Sequence, residues 1–235
     1  MNEDFLPFKN THVGDSAILF ASGPTLEDFT YGCLPEPPVV RVGVNSVIHR
    51  ADITLDYFFC AHDSRKDSTH HRTHPNHSEG AGLPDYVSAA GDRKDLKHIF
   101  VGTEFNGAAH PQYFTEEEAA AVGATTYGVS TDVGVDAFRW DICSSPLFNH
   151  SIVFPALQFL LFTGVVRIYL VGNDCSGGHS FLFPELSSPY DAGTDDIIPH
   201  WRDFAGFVKG VRPAVEIISI NPRSLEGMFT DIWTT

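Results

Sequence analysis

Along the chain, short and dense apolar runs alternate with polar turns that carry glycine. Residues 16–21 (Ser16-Ala17-Ile18-Leu19-Phe20-Ala21) form the first run, which ends at Ser22-Gly23-Pro24-Thr25. That pattern predicts a buried strand entering a tight turn, with Pro24 well placed to start a helix. Residues 39–44 give a second, β-branched run closing on Asn45-Ser46, and residues 53–60 a third closing on Ala61-His62-Asp63. The runs are apolar on both faces, as expected of strands in a parallel sheet covered by helices on either side.

Residues 64–91 break the rhythm. They hold His70, His71, His74 and His77 among Gly80, Gly82 and Pro84, and read as an irregular His-rich surface excursion near 64–95. Residues 97–101 predict another strand, and 115–121 a short helix whose Glu116, Glu117 and Glu118 suit the positive end of a helix dipole. Residues 151–163, rich in Leu, Phe and Ala, predict a helix stopped by Gly164. Residues 166–171 then predict a strand ending in Gly172-Asn173-Asp174, which completes half of a βαβ crossover. Residues 177–199 read as loop, and 200–211 as a helix with Trp201, Phe204, Phe207 and Val208 on one face. Residues 215–220 predict a strand ending at Asn221-Pro222, and 224–229 a last short helix. No repeat or linker divides the chain. The expectation is one α/β domain over residues 1–235, with a Rossmann-like, mostly parallel sheet and helices on both faces.

Composition narrows the function classes. Of 235 residues, 43% are hydrophobic and 19% charged, enough for a real core and too apolar for global disorder. A formal net charge of −15 repels nucleic acid and anionic membranes, so no nucleic-acid partner is expected. An anionic ligand would then be held by local dipoles and a few cations. Cys33, Cys60, Cys143 and Cys175 form no CxxC pair, which suits a reducing compartment. The acidic start MNEDFLPFKN lacks a signal-peptide layout. The longest apolar stretch, 152–162, holds Pro155 and Gln158 and is too short to span a bilayer. A cytoplasmic protein without a transmembrane segment is the expectation.

Candidate chemistry gathers at the predicted strand ends, because open α/β sheets bind ligands beyond the carboxyl ends of their strands. Those ends read Ser22-Gly23-Pro24-Thr25, Asn45-Ser46, His62-Asp63, Asn173-Asp174 and Asn221. Gly23 would let backbone approach a ligand, and a following helix would offer free N–H groups to a phosphate. The plainer reading is a tight strand-to-helix turn. Asp63 and Asp174 are candidates for contacts to a donor sugar or a metal–phosphate, with a capping carboxylate as the alternative for Asp174. His62, Asp63 and the loop histidines have metal-ligand side chains. Pro75 and the nearby glycines argue against the helix that would bring His70 and His74 together, so a polar loop is the first reading there. No GxGxxG, GxSxG, HExxH or P-loop pattern occurs.

Three segments carry a resemblance. Residues 17–26 (Ala17-Ile18-Leu19-Phe20-Ala21-Ser22-Gly23-Pro24-Thr25-Leu26) resemble the opening strand and Gly-Pro-Ser-Leu turn of the bacterial family 42 sialyltransferases. The related archaeal 6-hydroxymethylpterin diphosphokinase-like proteins share that turn. Residues 167–174 are similar to the strand that both families end in Gly-x-Asp. His200, one helix and one strand before Asn221-Pro222-Arg223-Ser224-Leu225, matches the sialyltransferase order of a histidine, a helix and a final Cys-Pro-Asn-Ser-Leu segment. The resemblance covers the two ends of the chain and leaves the middle unplaced.

It implies a sialyltransferase-like variant of the fold, a CMP-type nucleotide-sugar donor, a hydroxyl-bearing acceptor and no required cofactor. By the same resemblance Ser22, Gly23, Pro24, Thr25, Asn45 and Ser151 would hold the nucleotide, and His200 would deprotonate the acceptor. Read alone, a histidine after Pro199 is a solvent-facing residue at a helix start. Ile197 stands where the sialyltransferases place a phosphate-steadying tyrosine, with Tyr190 the nearest one, and Ser22 stands for their usual asparagine. Those departures point away from CMP-sialic acid itself. The archaeal relatives imply a second activity, Mg-dependent diphosphate transfer through Asp63 and Asp174. A non-catalytic nucleotide-binding domain is the third reading.

Overall fold

The first apolar run becomes β1 (Ser16–Phe20), whose side chains alternate between two cores. Ala17 and Leu19 pack on one side with Phe154, Phe159 and Trp201, while Ile18 and Phe20 pack on the other with Phe58, Tyr86 and Val87. A strand buried on both faces needs no polar alternation, which is why its sequence has none. The computed structural model describes residues 3–61, 85–132, 134–175 and 191–234, with backbone alone at 135 and 191–196.

On one side of β1 the sheet adds β2 (Val40–Val44), β3 (Tyr57–Cys60), β4 (His98–Phe105), β6 (Thr125–Ser130) and β7 (Leu147–Phe148). The two-residue β5 (Ala108–Ala109) folds back antiparallel on β4. The chain then returns to the other side of β1 with β8 (Arg167–Val171), β9 (Glu216–Ile220) and β10 (Thr230–Ile232). Apart from the β4–β5 pair, these strands are joined in parallel. The result is the expected Rossmann-like α/β fold, with its strand order reversing between β1 and β8.

Helices α1 (Tyr86–Asp92) and α2 (Glu116–Ala121) cover one face; α3 (Val153–Thr163) and α4 (Asp191–Val211) cover the other. Every residue of α3 is buried, because the helix lies between the sheet and α4. Its Phe159 ring is 4.9 Å from Phe100 of β4, and its Phe154 ring 5.0 Å from Trp201 of α4. Gln158, the polar interruption in that helix, is fully used. Its amide donates to the Phe148 and Phe154 carbonyls and its oxygen accepts from Arg139 N–H. Gly164 ends α3 in the left-handed region at φ 91°, as its position predicts.

Helix α2 opens on a capping box, in which Glu118 N–H donates to Thr115 Oγ1 (3.1 Å) and Thr115 N–H donates to the Glu118 carboxylate (2.7 Å). Thr115→Ala removes the cap and is expected to cost about 1 kcal/mol. The midpoint of urea unfolding measures this, and an unchanged midpoint would refute it.

Four expectations need correction. Helix α1, capped by Asp85, lies inside the stretch read as irregular. Helix α4 begins at Asp191, so 191–199 are helical and Pro199 sits within the helix. The bond lost at Pro199 is offset by the buried turns of Trp201, Phe204 and Val208 that follow. Strand β3 starts later than expected because buried Asp56 interrupts the run: its carboxylate accepts from Arg41 N–H at 2.9 Å and pairs with Lys97. Residues 224–229 make turns, not a helix, with Gly227 at φ 73°, and lead into β10. None of the four cysteines is in a disulfide. Among the described residues no helix is long and apolar enough to cross a membrane.

Candidate functional site

A cavity of about 250 Å³ opens where β1, β2 and β8 end, at the reversal of strand order. In open α/β sheets this crevice is the usual ligand site. The corner after β1 brings Ser22 and Gly23 to it, the end of β2 brings Asn45, and the segment before α3 brings Ser151. The end of β8 adds Asn173, Asp174 and Cys175, and α4 adds Ile197 and Trp201. Five residues singled out in the sequence, Ser22, Gly23, Asn45, Ser151 and Asp174, therefore meet in one place. A second cavity of about 430 Å³ beside the end of β4, between Glu104, His110, Tyr113 and Glu116, gathers none of them.

The corner after β1 works differently from the expectation. It continues into a single 3₁₀ turn, Pro24–Leu26, not an α-helix. Three of its N–H groups are spent on the protein: Gly23 donates to the Gly172 carbonyl (2.8 Å), Thr25 to Asp174 (2.9 Å) and Leu26 to the Gly23 carbonyl (3.0 Å). A side chain at Gly23 would meet Asp174 Oδ2 at 2.3 Å and the Gly172 carbonyl at 2.4 Å. The glycine is thus needed for the approach of the β1 and β8 corners to each other. Thr25 is buried and its hydroxyl also donates to Asp174, while Pro24 opens the 3₁₀ turn; neither lines the cavity.

Asp174 is consequently the cap of that corner. Burial pushes its carboxyl above the ordinary aspartate value, against the two Thr25 bonds, which pull it down. With both oxygens engaged and its charge disfavoured, it is a poor metal ligand.

The helix start that does face the cavity belongs to α3. Ser151, Ile152 and Val153 line the wall there, and no side chain caps the helix. An eleven-residue helix aimed at a cavity supplies the dipole that the first corner lacks. Among the described residues, none of the lining side chains is basic.

Two buried amide oxygens of lining residues, Asn45 Oδ1 and Asn173 Oδ1, have no hydrogen-bond partner, while the Trp201 indole N–H lies against the Cys175 thiol. Such atoms are few in folded proteins and each calls for an explanation. For Asn173 the orientation is fixed, because its Nδ2 donates to the Val171 carbonyl (3.1 Å) and the Leu19 carbonyl (3.4 Å). Flipping the amide would set oxygen against oxygen. Asn45 takes a left-handed conformation at φ 47° directly after β2. The Cys175 thiol is pushed up to about 12 by burial, so it stays protonated at neutral pH and is no nucleophile.

His200 does not line the cavity, although Ile197 and Trp201 of the same helix do. It is buried, contrary to a solvent-facing helix start, and lies well inside α4. Its ring stacks on His150 with centroids 4.0 Å apart and sits 5.3 Å from Phe148. The imidazole therefore flanks the site through His150, the neighbour of Ser151. Asp63, His62 and the histidines at 70, 71, 74 and 77 lie outside the described residues, as does Tyr190. Among the described residues no group of three His, Cys, Asp or Glu side chains is arranged to hold a metal.

Compared with known proteins, the chain matches no family model, no curated protein and no solved structure. Trp201 is not among the residues that the sequence marks as candidates. Asn173 was visible as a polar strand end, but Trp201 sits on an apolar helical face and reads as core.

Proposed function

We propose that the chain is a glycosyltransferase-like enzyme that binds a nucleotide-activated sugar in the cavity between β1, β2 and β8 and passes the sugar to an acceptor hydroxyl. The observation that carries this reading is convergence. Ser22, Asn45 and Ser151, chosen by their likeness to sialyltransferase nucleotide contacts, come from distant segments to one cavity at the strand-order reversal. The polar residues Asn45, Ser151 and Asn173 in its wall support a site built for a polar ligand. In this reading the phosphate lies toward the start of α3 and the nucleoside toward the ends of β2 and β8. The CMP-type donor comes from the resemblance alone.

His200 is the candidate base. Its place beside the cavity suits a group that meets the acceptor and not the donor. His200→Ala is expected to lower transfer by about a hundredfold or more while changing nucleotide affinity less than about threefold. Turnover with CMP-, UDP- and GDP-sugars, paired with calorimetry, measures both. Equal loss of binding and turnover would make His200 structural.

The absence of His200 from the cavity wall favours one rival, a nucleotide-binding domain without catalysis. No turnover with any donor, together with thermal stabilisation by a nucleotide, would select that rival. Mg-dependent diphosphate transfer draws no support from Asp174, whose oxygens are held by Thr25. Binding of ATP that requires Mg²⁺ would revive it.

A further inference from the structure

Strand β4 carries an extra residue near its carboxyl end. Its register against β6 shifts between Gly102 and Glu104, so Thr103 is the inserted residue of a β-bulge. Before the bulge, Phe100 packs in one core, and Ile99 and Val101 pack in the other, on the face of α1 and α2. After it the alternation is displaced by one, and Phe105 packs against the core of Phe100. Glu104 is thereby turned to the α2 face. Its carboxylate is 3.5 Å from where a Cβ of Gly128 would stand, and the neighbours Tyr127 and Val129 pack on the opposite face. Bulges re-aim side chains in this way beside functional sites.

Thr103, Glu104 and, from the start of α2, Glu116 line the cavity of about 430 Å³ beside the end of β4. Ala109, Pro111, Tyr113 and Phe114 supply apolar wall, the usual make-up of a small-molecule site. Exposed carboxylates are common on a chain of net charge −15, so the two glutamates alone would mark only an acidic surface. Thr103 distinguishes the place. It is 6% exposed, and among the described residues its hydroxyl has no hydrogen-bond partner. That oxygen keeps accessible surface, unlike the sealed amide oxygens of Asn45 and Asn173. Among the described residues Glu104 and Glu116 form no ion pair, and no Lys or Arg lines the cavity. The wall therefore accepts hydrogen bonds and attracts positive charge. A bare metal ion does not suit it, since among the described residues no three His, Cys, Asp or Glu side chains are arranged to hold one, although His110 lines the cavity with both glutamates.

We propose that this cavity is a second binding site, which takes a small organic cation: an ammonium or guanidinium group on an apolar body. The N–H donors answer the carboxylates and the Thr103 hydroxyl, and charge-assisted bonds of this kind are the strong ones. The body covers Phe114 and Pro111. The site is separate from the cavity between β1, β2 and β8 and does not depend on the function proposed there.

NMR titration of the amide-labelled full chain at physiological salt tests this with 2-phenylethylamine and agmatine, beside their uncharged counterparts 2-phenylethanol and 1,4-butanediol. At least one of the two cations is expected to shift the amides of Thr103, Glu104 and Phe114 saturably, with its uncharged counterpart about tenfold weaker or more. E104Q combined with E116Q should weaken the cation about tenfold, and T103V about threefold, without changing the affinity of the alcohol. Both glutamates are exposed, so the double variant should keep the wild-type urea midpoint and supplies the decision if T103V does not fold. Equal binding of cation and alcohol overturns the proposal, because the cavity would then be reading apolar shape alone. Shifts spread over the acidic surface, or shifts that E104Q with E116Q leaves unchanged, overturn it as unspecific attraction. No saturable shift at those amides with either cation overturns it outright.

Discussion

Gly172→Ala is expected to destabilise the fold by about 3–5 kcal/mol and to abolish ligand binding at the cavity. Gly172 has φ +68°, and a Cβ there would stand 2.2 Å from the Ala21 carbonyl oxygen and 3.2 Å from Leu26 Cβ. The obstructing atom is backbone, so no rotamer relieves the clash. Neither corner can retreat cheaply, since Ala21 N–H donates to the Val171 carbonyl and Gly23 N–H to the Gly172 carbonyl, both at 2.8 Å. Gly123→Ala is the control. It has the same φ of +68° with nothing within 4 Å, so it isolates the left-handed penalty, about 1 kcal/mol. Urea unfolding of the two variants separates strain from contact. A loss no larger than that of Gly123→Ala would mean that the corners part freely and that the cavity wall is soft.

The sequence announced elements wherever local pattern and tertiary role agree. Residues 16–20 and 167–171 are apolar because both faces are covered, and α3 is apolar throughout because it lies between two layers. Where one residue carries a tertiary duty the pattern misleads. Asp56 in the third run looks like strand and is a buried cap for Arg41. Pro199 and Gly193 look like breakers and sit inside α4. Strands β6 and β7 had no dense apolar run to announce them: β6 reads Thr-Thr-Tyr-Gly-Val-Ser, and β7 has two residues.

The site was legible as positions more than as roles. Polar residues at the ends of parallel strands converge because the sheet is parallel, so Ser22, Asn45 and Asp174 could be picked from order alone. What each does depends on distances that the order of residues does not contain. Thr25, read as a ligand contact, turns inward to Asp174, and Gly23, though it lines the cavity, spends its N–H on the Gly172 carbonyl. Trp201, read as core, also lines the cavity. His200 is displaced from that wall by one helical position, which rotates a side chain by about 100°.

Asp174 carries the second large prediction, and its two obvious substitutions should separate. Asp174→Ala strips the partner from Thr25 N–H, leaving a buried donor unsatisfied, and is expected to cost about 2–3 kcal/mol. Asp174→Asn keeps one oxygen for that N–H and offers its amide to the Thr25 hydroxyl oxygen, so its expected cost is about 1 kcal/mol or less. The charge itself does not help the fold. Burial raises the folded-state pKa above the ordinary value of 3.8, so the folded protein holds this proton more tightly than the unfolded chain does. Stability from this group is therefore greatest below 3.8 and is lost as pH rises through the folded value. Asparagine has no such titration. The stability of Asp174→Asn relative to wild type should thus improve as pH rises from about 3 to 7, by denaturant unfolding at each pH. A relative stability that instead worsened with pH would mean that the carboxylate is favoured in its charged form. The two Thr25 bonds would then outweigh burial at the β8 corner.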